Sequence, residues 1–219
     1  MKIARVEAHY LDNIPITPPP FRKLPNVERT VMVEIETDDG LVGWGMGGYF
    51  HPSMTNFINN HVAPALIGED PMLIERIAAK LHKQFIFAQR DLGRALVSAL
   101  STIDIALWDI KGKVLNTPVW NLLGGKVRDR IRVYAHASTP EQARAFVEMG
   151  YTALKTGGVH RVPEKVGRLR DAIGPEIDLL VDMHGAPWLN TKDAMIIGRE
   201  LEAFRPLFWE DPVAPENVD

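Results

Sequence analysis

The chain contains no cysteine. That excludes a disulfide framework, a thiolate nucleophile and a zinc–thiolate centre. It also lacks an apolar run long enough to span a bilayer. Its opening residues, Met1-Lys2-Ile3-Ala4-Arg5-Val6-Glu7, carry charge where a secretory leader would need an apolar stretch. Neither sign of charge dominates, with 25 Lys and Arg against 28 Asp and Glu and a net charge of −3. Such a balance leaves no electrostatic footprint for nucleic acid or for an anionic membrane surface. Together these absences lead us to expect a soluble, cytoplasmic protein. What the chain does have is apolar content: 46% of its 219 residues are hydrophobic, enough for one large domain or two modest ones.

Two short stretches organise the rest. Leu179-Leu180-Val181-Asp182-Met183-His184-Gly185 and Leu207-Phe208-Trp209-Glu210-Asp211-Pro212 are each an apolar run that ends in a carboxylate. A buried parallel strand that delivers an acid to its C-terminal end has this appearance. Asp182 and Glu210 are about 28 residues apart with a helix-like segment between them, the length of one βα repeat. Acids on the same rim of adjacent parallel strands supply half of an oxygen site for a hard cation such as Mg²⁺. The plainer alternative is that each carboxylate caps the turn or helix that follows it.

Ahead of these, residues 2–11 alternate enough for a first strand. Asp12 to Glu28 holds five prolines, and proline removes backbone donors, so a loop is expected there, either a lid or a loose connection. Thr30 to Thr37 alternates with period two, Asp38-Asp39-Gly40 signals a hairpin, and Leu41 to Gly45 returns. Gly43, Gly45 and Gly48 match G-x-G-x-x-G, but the strand before them belongs to a hairpin and Tyr49-Phe50-His51-Pro52 follows. A dinucleotide turn needs a helix N-terminus at that point, so we expect the glycines to allow tight backbone packing in a second mobile loop, Met46 to Ser53. Ser53 is expected to cap a helix to about Val62, and Asp70-Pro71 to open another. Arg94 to Gly112 is apolar almost all round and reads as a buried helix. Its Asp104 and Asp109 are expected to make structural hydrogen bonds to neighbouring loops rather than take part in chemistry.

A domain boundary is placed near Lys126. Beyond it strands are expected at Ile131–Ala137, Thr152–Lys155, Ile177–Asp182 and Pro206–Glu210. Helices are expected between them, from Thr139 to about Gly150, from Pro163 to Ile173 and from Thr191 to Phe204. This β-α-β-α-β-α-β pattern fits four units of a (β/α)₈ barrel or an open four-stranded sheet.

Several blocks resemble the enolase superfamily, in its mandelate racemase and muconate lactonizing enzyme branch. They are Ser101-Thr102-Ile103-Asp104-Ile105-Ala106-Leu107-Trp108-Asp109-Ile110-Lys111-Gly112-Lys113, Pro118 to Gly125, Gly150-Tyr151-Thr152-Ala153-Leu154-Lys155, Val181-Asp182, and Trp209-Glu210-Asp211-Pro212. The resemblance implies an α/β protein: an N-terminal α+β capping domain, residues 1–126, then the first half of a TIM-type (β/α) barrel, residues 127–219. The loops 12–28 and 46–53 would shape specificity. Mg²⁺ would be held by Asp182 and Glu210, and the chemistry would be removal of the proton α to a carboxylate, the metal stabilising the anion.

Two departures from the family's pattern stand out. Where the family commonly has Lys-x-Lys, this chain reads Lys155-Thr156-Gly157, leaving Lys155 as an electrostatic partner. The Asp182-x-His184-Gly185 arrangement is similar to galactonate and mannonate dehydratases, where such a histidine is a general acid that expels the β-hydroxyl. In a strand Asp182 and His184 share a side. The resemblance thus implies a sugar-acid dehydratase with His184 and Lys155 as catalytic groups, acting on a small carboxylate and forming a homo-oligomer. A racemase, epimerase or cycloisomerase is the alternative within the superfamily. The third carboxylate and an opposing base are not among the 219 residues, so we also weigh a piece of a longer enzyme, paired half-barrels, a second polypeptide, and an inactive assembly module.

Overall fold

The structure is a computed structural model that describes residues 1–15, 27–47, 52–86, 93–183 and 187–214. The chain divides into two compact units, Met1–Val127 and Arg128–Asp219.

The first unit opens with an antiparallel meander, β1 (Ile3–Pro15), β2 (Val27–Thr37) and β3 (Val42–Gly47), in the order β1-β2-β3. The hairpin expected at Asp38-Asp39-Gly40 is present. Leu41 N–H donates to Thr37 Oγ1 at 3.0 Å and Thr37 N–H to the Leu41 carbonyl at 2.9 Å. Alternation buries Val31, Val33 and Ile35 on one face of β2. That face packs with the long helix α4 (Gly93–Val114), which contributes Ala99, Leu100, Ile103, Ala106, Leu107 and Ile110 to the same core. Contrary to the all-round burial expected of α4, Val97 and Ile105 are exposed, so the helix has an inner and an outer side.

Glycine sets how close β3 comes to α4. A Cβ at Gly43 would lie 2.4 Å from the Ala106 carbonyl oxygen, and one at Gly45 only 1.9 Å from that of Thr102. The glycines of the G-x-G pattern therefore serve strand-on-helix contact, inside the strand rather than in a following loop. Asp109 braces the same contact: its Oδ2 accepts the Trp44 N–H at 2.9 Å and Lys113 Nζ at 2.7 Å. The Asp104 side chain, expected to act likewise, makes no hydrogen bond among the described residues. Of the two loops, residues 16–26 and 48–51 lie outside the described residues; β1 and β2 take up the rest of the first, and β3 extends through Gly47.

Between β3 and α4 the helices differ from expectation. α1 (Pro52–Phe57) starts one residue before Ser53, and a π-helical stretch, Ile58–Val62, carries it into α2 (Ala63–Leu66). α3 runs from Ile74 to Leu81, not from Asp70. The Asp70 side chain accepts the Met72 N–H at 2.9 Å and its carbonyl accepts the Leu73 N–H at 3.1 Å, so a tight turn forms before the helix can. A short α5 (Val119–Leu122) follows α4.

The second unit alternates β4 (Ala135–His136), α6 (Pro140–Glu148), β5 (Ala153–Gly157), α7 (Val162–Ile173), β6 (Asp178–Asp182), α8 (Thr191–Glu202) and β7 (Phe208–Glu210). The four strands pair in parallel in the order β4-β5-β6-β7. This is the α/β arrangement of half a TIM-type barrel. β4 is far shorter than the Ile131–Ala137 strand expected from alternation. Arg132 occupies the segment before it instead, its guanidinium bonding Thr152 Oγ1 at 3.0 Å, the Thr152 carbonyl at 2.7 Å and Asp178 Oδ2 at 2.6 Å. Side-chain donors thus anchor this segment where a backbone ladder was expected, and Ile131 and Val133 stay exposed. α6 begins as expected: Thr139 accepts the Gln142 N–H, and Pro140 fills the first turn.

Candidate metal centre

Strand alternation sorts the second unit's residues onto two faces. Leu154, Leu179, Val181 and Trp209 pack into the core with α6, α7 and α8 side chains. Lys155, Asp182 and Glu210 are therefore on the other face. Asp182 and Glu210 are direct register partners across β6 and β7, and Lys155 sits two residues behind, opposite Leu180. Asp182 and Glu210 close the C-terminal ends of their strands, where parallel sheets place chemistry, and Lys155, in the middle of β5, reaches them with its side chain.

Lys155 Nζ lies 2.9 Å from Asp182 Oδ2 and 2.6 Å from Glu210 Oε2. Lys155 is 6% and Asp182 3% exposed, whereas Glu210 is half-buried. Burial by itself would lower the lysine's pKa. Hydrogen bonds to Glu210 and Asp182, together with their charges, outweigh it and hold the ammonium above the usual lysine value. Lys155 is therefore held as an ammonium while it bonds these two carboxylates. The ring of Tyr134 stands beside it, with Nζ 5.7 Å from the ring centroid.

The structure adds one acid that was not assigned a role from the sequence. Asp211 adopts a left-handed backbone with φ of 48° immediately after β7. Aspartate tolerates this conformation better than most residues. Its carboxylate joins those of Asp182 and Glu210, with one ligand atom from each lying within 4.8 Å of the others. Its only signal in the sequence was its place in Glu210-Asp211-Pro212, since side-chain alternation sends neighbours apart.

These residues fit a hard divalent cation. The donors are all carboxylate oxygens, the set that suits Mg²⁺. Three carboxylates facing one ammonium leave a formal charge of −2 for a cation to neutralise. Gly157 explains the missing second lysine physically. A Cβ there would lie 2.1 Å from the Asp182 carbonyl oxygen, so this backbone has no room for a side chain at that position. His184, the acid or base expected from the sequence, lies outside the described residues.

Comparison with known proteins follows the same division of the chain. Residues 23–124 match the mandelate racemase / muconate lactonizing enzyme N-terminal domain, and residues 138–219 match the enolase C-terminal domain-like family. Among solved structures, the 3,6-anhydro-D-galactonate cycloisomerase from Zobellia galactanivorans is 30% identical with a TM-score of 0.85, over 99% of this chain and 60% of that one. A protein from Mesorhizobium loti provisionally named a dehydratase is 31% identical with a TM-score of 0.81, over 99% of this chain and 62% of its own. One from Bordetella bronchiseptica RB50, provisionally named a mandelate racemase and complexed with 2-oxoglutarate/phosphate, is 32% identical with a TM-score of 0.79, over 99% and 60%. The chain spans about three-fifths of the length of these solved chains. With an antiparallel N-terminal sheet, half a TIM-type barrel and both domain matches, the chain belongs to the mandelate racemase / muconate lactonizing enzyme branch of the enolase superfamily.

Proposed function

We propose that this protein takes part in Mg²⁺-dependent removal of the proton α to a carboxylate of a sugar acid, followed by loss of the β-hydroxyl as water. The observation that carries the reading is the Asp182–Glu210 register pair, with Asp211 beside it and Lys155 between. Asp182 and Glu210 would hold the cation. When bound, the cation supplies concentrated positive charge for the anion that proton removal creates. Lys155, an ammonium on a flexible stem, would contribute positive charge at the carboxylate end of the substrate. His184, two residues beyond Asp182, would protonate the departing hydroxyl. The dehydratase assignment rests on the Asp182-x-His184-Gly185 spacing.

A cycloisomerase or racemase is the second reading, favoured by the 30% identity to a cycloisomerase of 3,6-anhydro-D-galactonate. The two separate in one experiment. The protein is incubated with Mg²⁺, deuterated water and a panel of sugar acids, and products are followed by NMR and by a 2-keto assay. Dehydration gives a 2-keto product one water lighter than its substrate by mass, whereas the alternative gives an isomer with no loss of water, carrying solvent deuterium. Asp182→Asn is expected to abolish both cation binding and turnover. A variant that binds Mg²⁺ as the wild type does would remove the metal-site reading.

A further inference from the structure

The metal-site residues hold a feature that bears on how a cation is loaded. A hard divalent cation needs the Asp182 and Glu210 oxygens at about 2.0–2.1 Å. Those carboxylates already clasp the Lys155 ammonium, at 2.9 Å from Asp182 Oδ2 and 2.6 Å from Glu210 Oε2. A cation that takes Asp182 Oδ2 and Glu210 Oε2 cannot share those same oxygens with the ammonium at these distances. Repulsion between the two cations is strongest where Lys155 and Asp182 are buried, because water screens little there. The lysine has somewhere else to go. In the clasped position Nζ is already 5.7 Å from the Tyr134 ring centroid, at the edge of cation–π reach of about 6 Å, and Tyr134 is 47% exposed, so a short shift carries the ammonium toward the ring and water. A four-carbon flexible stem lets the head move while the strand stays fixed.

We propose that Lys155 is a built-in counter-ion that a divalent cation must displace. Its ammonium leaves the Asp182–Glu210 pair and settles against Tyr134. The inference rests on reading Asp182 and Glu210 as a divalent-cation site, and adds a loading step to it. In the lysine-bound state the carboxylates are satisfied and the strand ends stay together without metal. The apparent cation affinity is lowered by the fraction of molecules in that state.

The test is titration calorimetry with MgCl₂ on the wild type, Asp182→Asn and Lys155→Met, together with amine acylation of the wild type read by mass spectrometry. If Asp182→Asn binds Mg²⁺ like the wild type, the underlying site reading fails, whatever Lys155 does. If binding depends on Asp182, Lys155→Met is expected to bind Mg²⁺ about tenfold or more tightly, since two charge-assisted hydrogen bonds no longer compete. Unchanged or weaker binding overturns the proposal. Acylation needs no variant and distinguishes displacement from simple repulsion in place. Lys155 is expected to be protected without metal and labelled several-fold faster at saturating Mg²⁺; protection that persists in the metal-bound protein also overturns it.

Discussion

Gly45→Ala offers the sharpest test of how β3 meets α4. The added Cβ would sit 1.9 Å from the Thr102 carbonyl oxygen and 3.0 Å from Ala106 N. Both atoms are helix backbone, so no rotamer change relieves the clash. Strand and helix must separate by about 1.5 Å to reach ordinary contact. Helix α4 is held on the same side by Ile103, Leu107 and Ile110, all about 1% exposed or less, so separation also opens the core. The cost belongs at the upper end of overpacking, roughly 3 kcal/mol or more. For a unit of this size that corresponds to a fall in Tm of about 10 °C. Circular dichroism melting of Gly45→Ala would measure it, with Met46→Ala as control. Met46 is 61% exposed, and its replacement is expected to change stability by about 0.5 kcal/mol or less. A Gly45→Ala protein that melts within about 2 °C of the wild type would falsify the packing account of the glycines.

Two smaller perturbations probe the rest of the chain. Thr139→Ala removes the side-chain acceptor for the Gln142 N–H at the start of α6 and is expected to cost about 1 kcal/mol in urea denaturation, with Thr139→Ser retaining most of it. Asp104 lies in a groove lined by Ile74, Ile77, Leu81 and Leu100, where burial, with a contribution from Glu75, raises its pKa. A carboxyl raised on folding contributes stability that is present below its unfolded pKa and lost as pH rises through the folded one. Asp104→Asn should therefore raise Tm at neutral pH and lose that advantage in acid. An equal difference at both pH values would mean that the carboxyl is not desolvated.

Much of this protein could be read directly from local pattern. The hairpin at Asp38-Asp39-Gly40, the long helix through Ile103 and the alternation of four strands with three helices were legible because alternation, small-residue spacing and turn chemistry act within a few residues. The errors fall where side chains compete with backbone. Asp70 made a turn that delayed α3, and Arg132 anchored a segment that alternation read as strand. The helix between Ser53 and Val62 ran on through a π-helical stretch, which no pattern in the sequence signalled.

The candidate centre divides in the same way. The apolar runs ending in Asp182 and Glu210 determined that two acids stand at the ends of parallel strands, since period-two alternation fixes which face a strand residue takes. Register, backbone reversal and close approach are properties of pairs of elements. Only the tertiary structure decided that these two acids are opposite one another, that Lys155 reaches between them and that Gly157 leaves no space for a second lysine. Asp211 shows the reason most simply: alternation would send it away from Glu210, and a single left-handed residue brings it back.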